Sequence, residues 1–477
     1  MIKLLLKDAF IYTVGSSLSR VLSLLLLPLY TRLLAPADYG SLDLLLMFAV
    51  LVNIALAMEI SQGMARFYAD EESPKAREIY ASTAFLFTIF CYIAFTVVAF
   101  EYSEFLAARI VGSINHVVSF QISVIYISLN GILAFLQNLL RWQRRSREFA
   151  ISGFTHSSTT AIMAIVFMYG LDLGLEGLLL GMVSGAFVSC FYLLILVRRS
   201  LGLNFELTKL KNMLGFSLPL VPSGIAIWAS AYVDRIMINH FMTLEDVGVY
   251  GVGFRLASVI GLLMVGIQGA LTPLIYSRYE DPETPRQLAK IFRYFVSAAF
   301  LVFVTMSLFA HDIFVMLTTA AYYRGGDVVA YLALAFLFSR MYIFAPGNAI
   351  AKNVSTIMWI SLAGAMLNAG FNWTMIPEFG VQGAAIATLA AYFCVFLLQM
   401  ASSQKLYPVP HNWWPLIAML ISSTGISILI PIITLDFSNL ARWSLNLMMI
   451  AVVSALIVLL RLVKVCEIRR LLSLLKV

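Results

Sequence analysis

The segment LLAPADYGSLDL (33–44) decides the fold, because a similar segment, FMTLEDVGVYGV (241–252), follows 208 residues later in a chain of 477 residues. The pair places Asp38 opposite Asp246 and Gly40 opposite Gly248. Two further matches follow in the same order, both at an offset of 206 residues: Gln62-Gly63 with Gln268-Gly269, and LGLEGLLLG (173–181) with FGVQGAAIA (379–387). Three ordered matches at nearly constant spacing predict an internal repeat.

The composition around these segments is that of a membrane protein. Hydrophobic residues make up 61% of the chain, charged residues 12%, and the mean hydropathy is +0.90. Soluble domains carry roughly twice that charged fraction, so a soluble globular protein, a disordered chain and a coiled coil are excluded. The net charge of +7 does not indicate nucleic-acid binding, since the basic residues are spread over short loops. The four cysteines are scattered singly, which predicts neither a disulfide framework nor a metal site.

Apolar stretches long enough to cross a bilayer, about 20 residues each, recur along the whole chain. We predict an all-α polytopic membrane protein with about fourteen transmembrane helices. The predicted spans are 9–34, 42–64, 79–100, 117–139, 150–169, 177–197, 214–241, 248–275, 292–318, 328–350, 356–376, 381–401, 414–434 and 442–463.

The distribution of Lys and Arg predicts the orientation, because cytoplasmic loops hold the excess of these residues. With a cytoplasmic N-terminus, 24 of the 32 basic residues lie on the inner side, in loops or at span ends, four lie on the outer side, and four lie well inside spans. Both termini are therefore predicted to be cytoplasmic. The outer loops are too short to fold as a domain, which disfavours a glycan polymerase or a glycosyltransferase.

Each copy of the repeat contains six spans, so the two copies are predicted to be related by a pseudo-twofold axis along the membrane normal. Such parallel repeats are typical of transporters. The predicted domains are an N-lobe (1–197), a cytoplasmic linker (198–213), a C-lobe (214–401), and two extra helices with a cytoplasmic tail (402–477).

Four arginines inside predicted spans are the candidate substrate-binding residues. An arginine at the bilayer centre costs at least about 2.5–3.5 kcal/mol, so it faces protein or a water-filled cavity. Guanidinium groups bind phosphate oxygens in a bidentate manner, which predicts a substrate with a phosphate or diphosphate group. The candidates are Arg20, Arg235, Arg255 and Arg340.

The acidic companions of these arginines are expected to be Glu59 and Asp234, either for ion coupling or for structural pairing. Helix-depth arithmetic pairs Asp234 with Arg255 and Glu59 with Arg20, and leaves Arg235 and Arg340 without an obvious carboxylate. Asn53 and Gln268 are further candidates for polar cavity positions, although interhelical packing is the safer interpretation for any one such residue. No ATP-binding or catalytic motif is present, so we predict a transporter rather than an enzyme.

Three stretches of the sequence resemble the Wzx-type polysaccharide biosynthesis flippases. They are PLYTRLLAPADYGSLDL (28–44) with GMARFYADEESPKARE (63–78), and LGFSLPLVPSGIAIWASAYVDRIMINHFMTLEDVGVYGVGFRL (214–256). The resemblance implies membership of the superfamily of multidrug, oligosaccharidyl-lipid and polysaccharide exporters (MOP), whose two six-helix lobes form a V around a central cavity. Family members use a cationic cavity for an anionic head group, which implies the four arginines named above for that role.

The resemblance also implies a function. Wzx-type proteins move undecaprenyl-diphosphate-linked oligosaccharide from the cytoplasmic to the periplasmic leaflet of the bacterial inner membrane, for O-antigen, capsule or exopolysaccharide assembly. We expect a monomer that works by alternating access without a cofactor, with H⁺, Na⁺ or the membrane potential as the energy source. The expected partners are membrane lipids, the polysaccharide polymerase and chain-length proteins. A lipid II flippase and a multidrug extruder of the same superfamily are the alternatives. The glycan repeat unit, the coupling ion and the role of the last two spans stay open.

Overall fold

The computed structural model describes residues 25–434 and 437–463. Within these ranges the chain is nearly all helical and contains no β-strand. The α-helices are α1 (Leu27–Leu33), α2 (Pro36–Leu56), α3 (Ile60–Asp70), α4 (Pro74–Glu101), α5 (Ser103–Ile110), α6 (Val117–Trp142), α7 (Ser146–Ile165), α8 (Gly174–Val197), α9 (Leu207–Ser217), α10 (Val221–Phe241), α11 (Leu244–Ala257), α12 (Gly261–Arg278), α13 (Thr284–Leu308), α14 (Ala310–Leu317), α15 (Val329–Met341), α16 (Gly347–Ile350), α17 (Val354–Leu406), α18 (Trp413–Ile433) and α19 (Asn439–Leu459).

Ten helical segments of the described chain are long and apolar enough to cross a membrane, and a bent pair, Ala320–Gly326 with Val329–Phe344, can form an eleventh. Helix α17 counts once although it contains two predicted spans, which meet at its break at Gly380. A 3₁₀ turn, Ser258–Ile260, divides the predicted eighth span into α11 and α12. The ten segments and the bent pair account for twelve of the predicted spans, and the divided eighth span is not among them. Most of the first predicted span, with Arg20, lies outside the described residues. The all-helical, polytopic fold predicted from the sequence is confirmed.

The repeat is visible as a reciprocal helix contact. A Cβ atom added to Gly40 on α2 would lie 2.0 Å from the carbonyl oxygen of Leu244, and one added to Gly248 on α11 would lie 1.9 Å from that of Pro36. Leu244 follows Pro36 by the same 208 residues that separate the two glycines. Equivalent residues that contact each other reciprocally are the mark of a twofold relation. Glycine is needed at both positions because no side chain fits between the two backbones.

The third repeat match has the same backbone geometry in both copies. Gly174 and Gly380 have positive φ values of 50° and 59°, which favour glycine. Three residues later, a Cβ atom on Gly177 would lie 2.9 Å from the backbone of Met168, and one on Gly383 would lie 2.2 Å from the carbonyl oxygen of Met375. Each glycine therefore lets its helix approach the end of the preceding helix closely.

The chain forms two compact units, of which the first ends at Gly251 and the second begins at Val252. In the first unit, α3, α4, α6, α8 and α9 share one apolar core, in which Met64, Leu136 and Met213 are fully buried. Helix α9 starts within the predicted linker, 198–213, yet it packs on α3, where a Cβ atom on Gly63 would lie 2.5 Å from the carbonyl oxygen of Met213. The compact unit thus continues past that linker, and the predicted lobe boundaries stay a prediction.

In the second unit, the two helices without a repeat counterpart, α18 and α19, pack on α13. The Asn446 side chain donates a hydrogen bond to the carbonyl oxygen of Leu308 at the end of α13 (3.0 Å). Arg442, one turn earlier on α19, pairs with Asp312 on α14 (2.5 Å). These contacts hold α19 against α13 and α14 near the start of α19.

Candidate functional site

A buried ion cluster joins α2, α10 and α11 in the first unit. Arg235 Nε donates to Asp43 Oδ2 (2.7 Å), and Arg235 Nη1 donates to Asp234 Oδ1 (3.0 Å). The hydroxyl of Tyr250 donates to the other oxygen of Asp234. Arg235 and Asp234 are each only 3% exposed. The prediction that Arg235 lacks a carboxylate partner is wrong, because two carboxylates flank its guanidinium.

Sequence reasoning missed Asp43, although it lies inside the predicted second span. It was hidden by distance along the chain, since 192 residues separate it from Arg235. The contact of Gly40 with α11 brings α2 close to α11. Gly251 leaves room for the Asp43 carboxylate between them, because a Cβ atom at Gly251 would lie 3.1 Å from Asp43 Oδ2. Asp234 is engaged within this unit by Arg235 and Tyr250, whereas its predicted partner, Arg255, belongs to the second unit.

Glu59 lies at a break in the second predicted span. Helix α2 ends at Leu56, and Met58 and Glu59 both adopt left-handed conformations, with φ values of 50° and 51°. Such conformations cost non-glycine residues of order 1–3 kcal/mol each and cluster at functional sites. Glu59 is half-buried at this break. Its predicted partner, Arg20, lies outside the described residues.

Asn53, one turn before the break, holds two helices together. Its side-chain oxygen accepts a hydrogen bond from the hydroxyl of Tyr92 on α4 (2.7 Å). The Tyr92 ring fits against Gly131 of α6, where a Cβ atom would lie 2.0 Å from the ring. The contacts of Asn53 are therefore those of an interhelical packing residue.

Arg255 and Arg340 lie in the second unit, each at a point where an α-helix gives way to a 3₁₀ turn. Arg255 is near the end of α11, before Ser258–Ile260, and Arg340 is near the end of α15, before Tyr342–Phe344. The rings of Phe254 and Phe336, which neighbour these arginines along their helices, meet edge to face with centroids 4.9 Å apart. The two broken helices thus approach each other next to both arginines.

Gln268 of α12 lies beside Arg340. The Arg340 Nη1 donates to Gln268 Oε1 at 3.4 Å. Arg340 is exposed, and among the described residues it forms no ion pair with a carboxylate. The structure thus places Arg340 beside Gln268, while Arg255 lies on a helix that contacts the helix of Arg340 through Phe254 and Phe336. Such broken helices inside a membrane line cavities in transporters.

An apolar cavity of about 610 Å³ lies nearby in the second unit, between α15, α17 and α18. Its lining includes Phe338, Phe393 and Leu420, and Thr424 is the polar side chain in it. Helix α18, one of the two helices without a repeat counterpart, forms one wall of this cavity.

Comparison with known proteins identifies the family. Residues 5–278, more than half of the chain, match the family described as polysaccharide biosynthesis protein. The chain belongs to this family. Its relatives include protein 1 of the Lsg locus of Haemophilus influenzae, 25% identical over 285 residues, a match that covers 57% of this chain and 65% of that protein. An uncharacterized membrane protein of Methanocaldococcus jannaschii is 23% identical over 428 residues, which cover 83% of this chain and 82% of the relative.

Solved structures with the same fold come from the MOP superfamily. The lipid II flippase MurJ in an inward closed conformation has a TM-score of 0.74 at 14% identity, and the match covers 94% of this chain and 98% of that one. An inward-facing multidrug transporter of the MATE family, described as a member of the MOP superfamily, has a TM-score of 0.63 at 14% identity, with 81% and 94% covered. The protein therefore has the fold of this transporter superfamily, and the resemblance in its sequence to the polysaccharide flippases is confirmed.

Proposed function

We propose that this family member is a flippase that moves undecaprenyl-diphosphate-linked oligosaccharide across the bacterial inner membrane, from the cytoplasmic to the periplasmic leaflet, for O-antigen, capsule or exopolysaccharide assembly. The family and the fold, which are those of flippases and transporters, support the general activity. The observation that carries the substrate class is the site of Arg255, Arg340 and Gln268 at two broken helices. Arg340 has an exposed guanidinium that forms no ion pair with a carboxylate among the described residues. Such a group suits a phosphate-bearing head group.

In this mechanism the arginines hold the diphosphate while the lobes alternate between inward-open and outward-open states, and the polyprenyl chain stays in lipid. The distribution of basic residues gives the proposed orientation of the chain in the membrane, with both termini in the cytoplasm. A diphosphate moving out of a negative interior gains about 2.3 kcal/mol per charge per 100 mV, so the membrane potential favours export. Glu59 at its helix break and Asp234 in the buried cluster are the proposed carboxylates for any coupled H⁺ or Na⁺.

Arg235 takes a different role in this proposal from the one expected from the sequence. Its guanidinium is buried between Asp43 and Asp234, so we assign it to holding α2, α10 and α11 together. Binding a diphosphate there would require both carboxylates to leave or to be protonated. Arg255 and Arg340 remain the proposed head-group ligands, and Gln268 positions the Arg340 side chain.

The experiment measures translocation of a fluorescent undecaprenyl-diphosphate oligosaccharide in proteoliposomes. Arg340→Ala should lower the rate about tenfold or more, because a hydrogen bond to a charged group contributes about 1.5–3 kcal/mol. Arg340→Lys should recover only part of the rate, since an ammonium lacks the planar fork of donors. Arg286→Ala is the matched control, as this arginine is 74% exposed and pairs with Glu283 in a loop-proximal turn.

A folded Arg340→Ala variant that transports at the wild-type rate would contradict the proposed site. Arginine near a helix C-terminus also has a favourable interaction with the helix dipole, of about 0.3–1 kcal/mol. A purely structural role would therefore lower the unfolding temperature and leave the transport rate per folded molecule unchanged. Measuring both quantities on the same samples separates the two roles.

A further inference from the structure

The predicted linker, 198–213, begins at the level where helices of the first unit end. Helix α6 ends at Trp142 and α8 ends at Val197. The two ends are level, because Arg145, in the turn after α6, donates from Nη1 to the carbonyl oxygen of Leu196 (3.5 Å). Trp142 is exposed at this level, which is typical of aromatic residues at the membrane interface. The linker therefore starts at the edge of the hydrocarbon core.

The backbone of the linker is fixed to α4 at the same level. The amide of Gly202 donates to Ser82 Oγ (2.7 Å). The amide of Glu206 donates to Thr83 Oγ1 (3.1 Å). Ser82 and Thr83 are fully buried and lie within the predicted third span, 79–100. Because the linker contacts residues inside a span, it lies along the edge of the bilayer and does not extend into the cytoplasm.

The start of α9 is held on the same helix. Lys209 Nζ lies 4.8 Å from the ring centre of Tyr80 on α4 and pairs with Glu206 (3.5 Å). The Lys209 side chain is only 16% exposed, so its charge is used within the protein. The linker is thus a fixed part of the first unit, and its exposed side chains have a defined position.

Three apolar side chains of this fixed segment are exposed. Leu203 is 90% exposed, Phe205 50% and Leu207 56%. They alternate along the chain and so form a short apolar row. In water such a row costs free energy, whereas contact with acyl chains at the bilayer edge removes that cost.

Basic residues flank the apolar row on both sides. Arg198 and Arg199 follow α8 directly, Lys211 lies on α9, and all three are exposed. Within the described chain none of them forms an ion pair, while the carboxylate of Glu206 pairs with Lys209. An apolar row between unpaired basic residues is typical of segments that lie in an anionic membrane surface.

We propose that the linker is a binding surface for anionic phospholipids. Leu203, Phe205 and Leu207 insert among the acyl chains, and the flanking basic side chains bind the phosphate groups, which are good acceptors for guanidinium. A soluble protein partner is disfavoured because the row lies at the level of residues inside a span. The orientation predicted from the basic residues assigns the surface to the cytoplasmic leaflet. The inference uses contacts of the first unit alone and does not depend on the transported substrate.

The first test measures the depth of the row in nanodiscs of phosphatidylcholine with about 30% phosphatidylglycerol, which gives a negative surface potential. Nitroxide labels are attached at Leu203→Cys and Phe205→Cys in a variant whose four native cysteines are replaced with alanine. Oxygen, which dissolves in lipid, should relax these labels more than a water-soluble nickel chelate does. Glu72→Cys, an exposed site in the turn between α3 and α4 on the same predicted side, is the matched control and should show the reverse.

The second test measures how much phosphatidylglycerol stays bound when the protein is released from these nanodiscs into native mass spectrometry. Arg198→Ser combined with Arg199→Ser should weaken this binding about tenfold or more, because each basic residue near an anionic surface contributes. Arg66→Ser combined with Arg286→Ser removes the same charge on the same predicted side. Both control arginines already pair with an acidic neighbour, so this variant should bind as the wild type does.

Two results would overturn the proposal. If the labels at Leu203 and Phe205 respond to the nickel chelate as the Glu72 label does, the row faces water and is left to a protein partner or a second copy of the chain. If the arginine pair after α8 matters no more than the control pair, the surface does not select anionic lipid. Neither readout involves transport, so failure of the proposed function would leave this surface unaffected.

Discussion

The buried cluster of Arg235, Asp43 and Asp234 makes a quantitative prediction about stability. Replacing Arg235 with leucine removes the cation that both carboxylates face, at 2.7 and 3.0 Å. Two hydrogen bonds between charged groups, at about 1.5–3 kcal/mol each, give a loss of about 3–6 kcal/mol. This agrees with the cost of about 3–5 kcal/mol for removing one partner of a buried ion pair.

The matched control has the same chemistry at the surface. Arg286 pairs with Glu283 at 2.8 Å, but the two side chains are 74% and 59% exposed. Arg286→Leu should therefore cost less than about 1 kcal/mol. The difference between the two substitutions isolates the effect of burial, because the ion pairs have similar lengths.

The assay is steric trapping, which measures the free energy of reversible unfolding in a bilayer or bicelle. Combining Arg235→Leu with Asp43→Asn and Asp234→Asn should recover part of the loss, since neutral amides have a lower cost of burial than carboxylates. If Arg235→Leu costs no more than Arg286→Leu, or if the asparagine substitutions add their full cost to it, the structural role of the cluster is refuted.

Two further predictions concern packing and pH. Gly248→Ala should destabilise the protein, because the new Cβ would lie 1.9 Å from the carbonyl oxygen of Pro36. The Cβ of Gly215→Ala would have no atom within 4 Å, so this control should be neutral or stabilising. Thermal unfolding of both variants checks this, and equal unfolding midpoints would contradict the close contact. Burial lowers the pKa of His411 to about 4, against the smaller opposing effect of its contact with the Phe344 carbonyl. The unfolded chain takes up this proton near pH 6.5, so stability should be full above that pH and fall by about 3 kcal/mol as the pH drops to 4; His411→Phe should lose this slope, and an unchanged slope would show that other groups cause it.

The helical architecture could be predicted because each span has to be apolar over its whole length. The repeat could be predicted for a related reason. Gly40 and Gly248 lie where two backbones touch, and Gly174 and Gly380 have a backbone conformation that other residues avoid. Positions of this kind leave a trace in the sequence because no other residue fits them.

The ion pairing could not be predicted in the same way. Depth along a helix limits which residues lie at the same level, but it does not say which faces meet. Helix depth alone therefore predicts no carboxylate partner for Arg235, although Asp43 lies at the start of the second predicted span. The interruption of the helix at Met58 and Glu59 could not be predicted either, since neither residue favours a left-handed conformation by itself.

The most direct test of the account is a comparison of substrates in proteoliposomes with an imposed membrane potential. Undecaprenyl-diphosphate oligosaccharide, lipid II and a cationic dye are each offered to the wild type and to Arg255→Ala. The account predicts that the oligosaccharide lipid crosses, that a negative interior accelerates its export, and that Arg255→Ala slows it. Transport of lipid II alone would make the protein a lipid II flippase, and transport of the dye without either lipid would contradict the central claim.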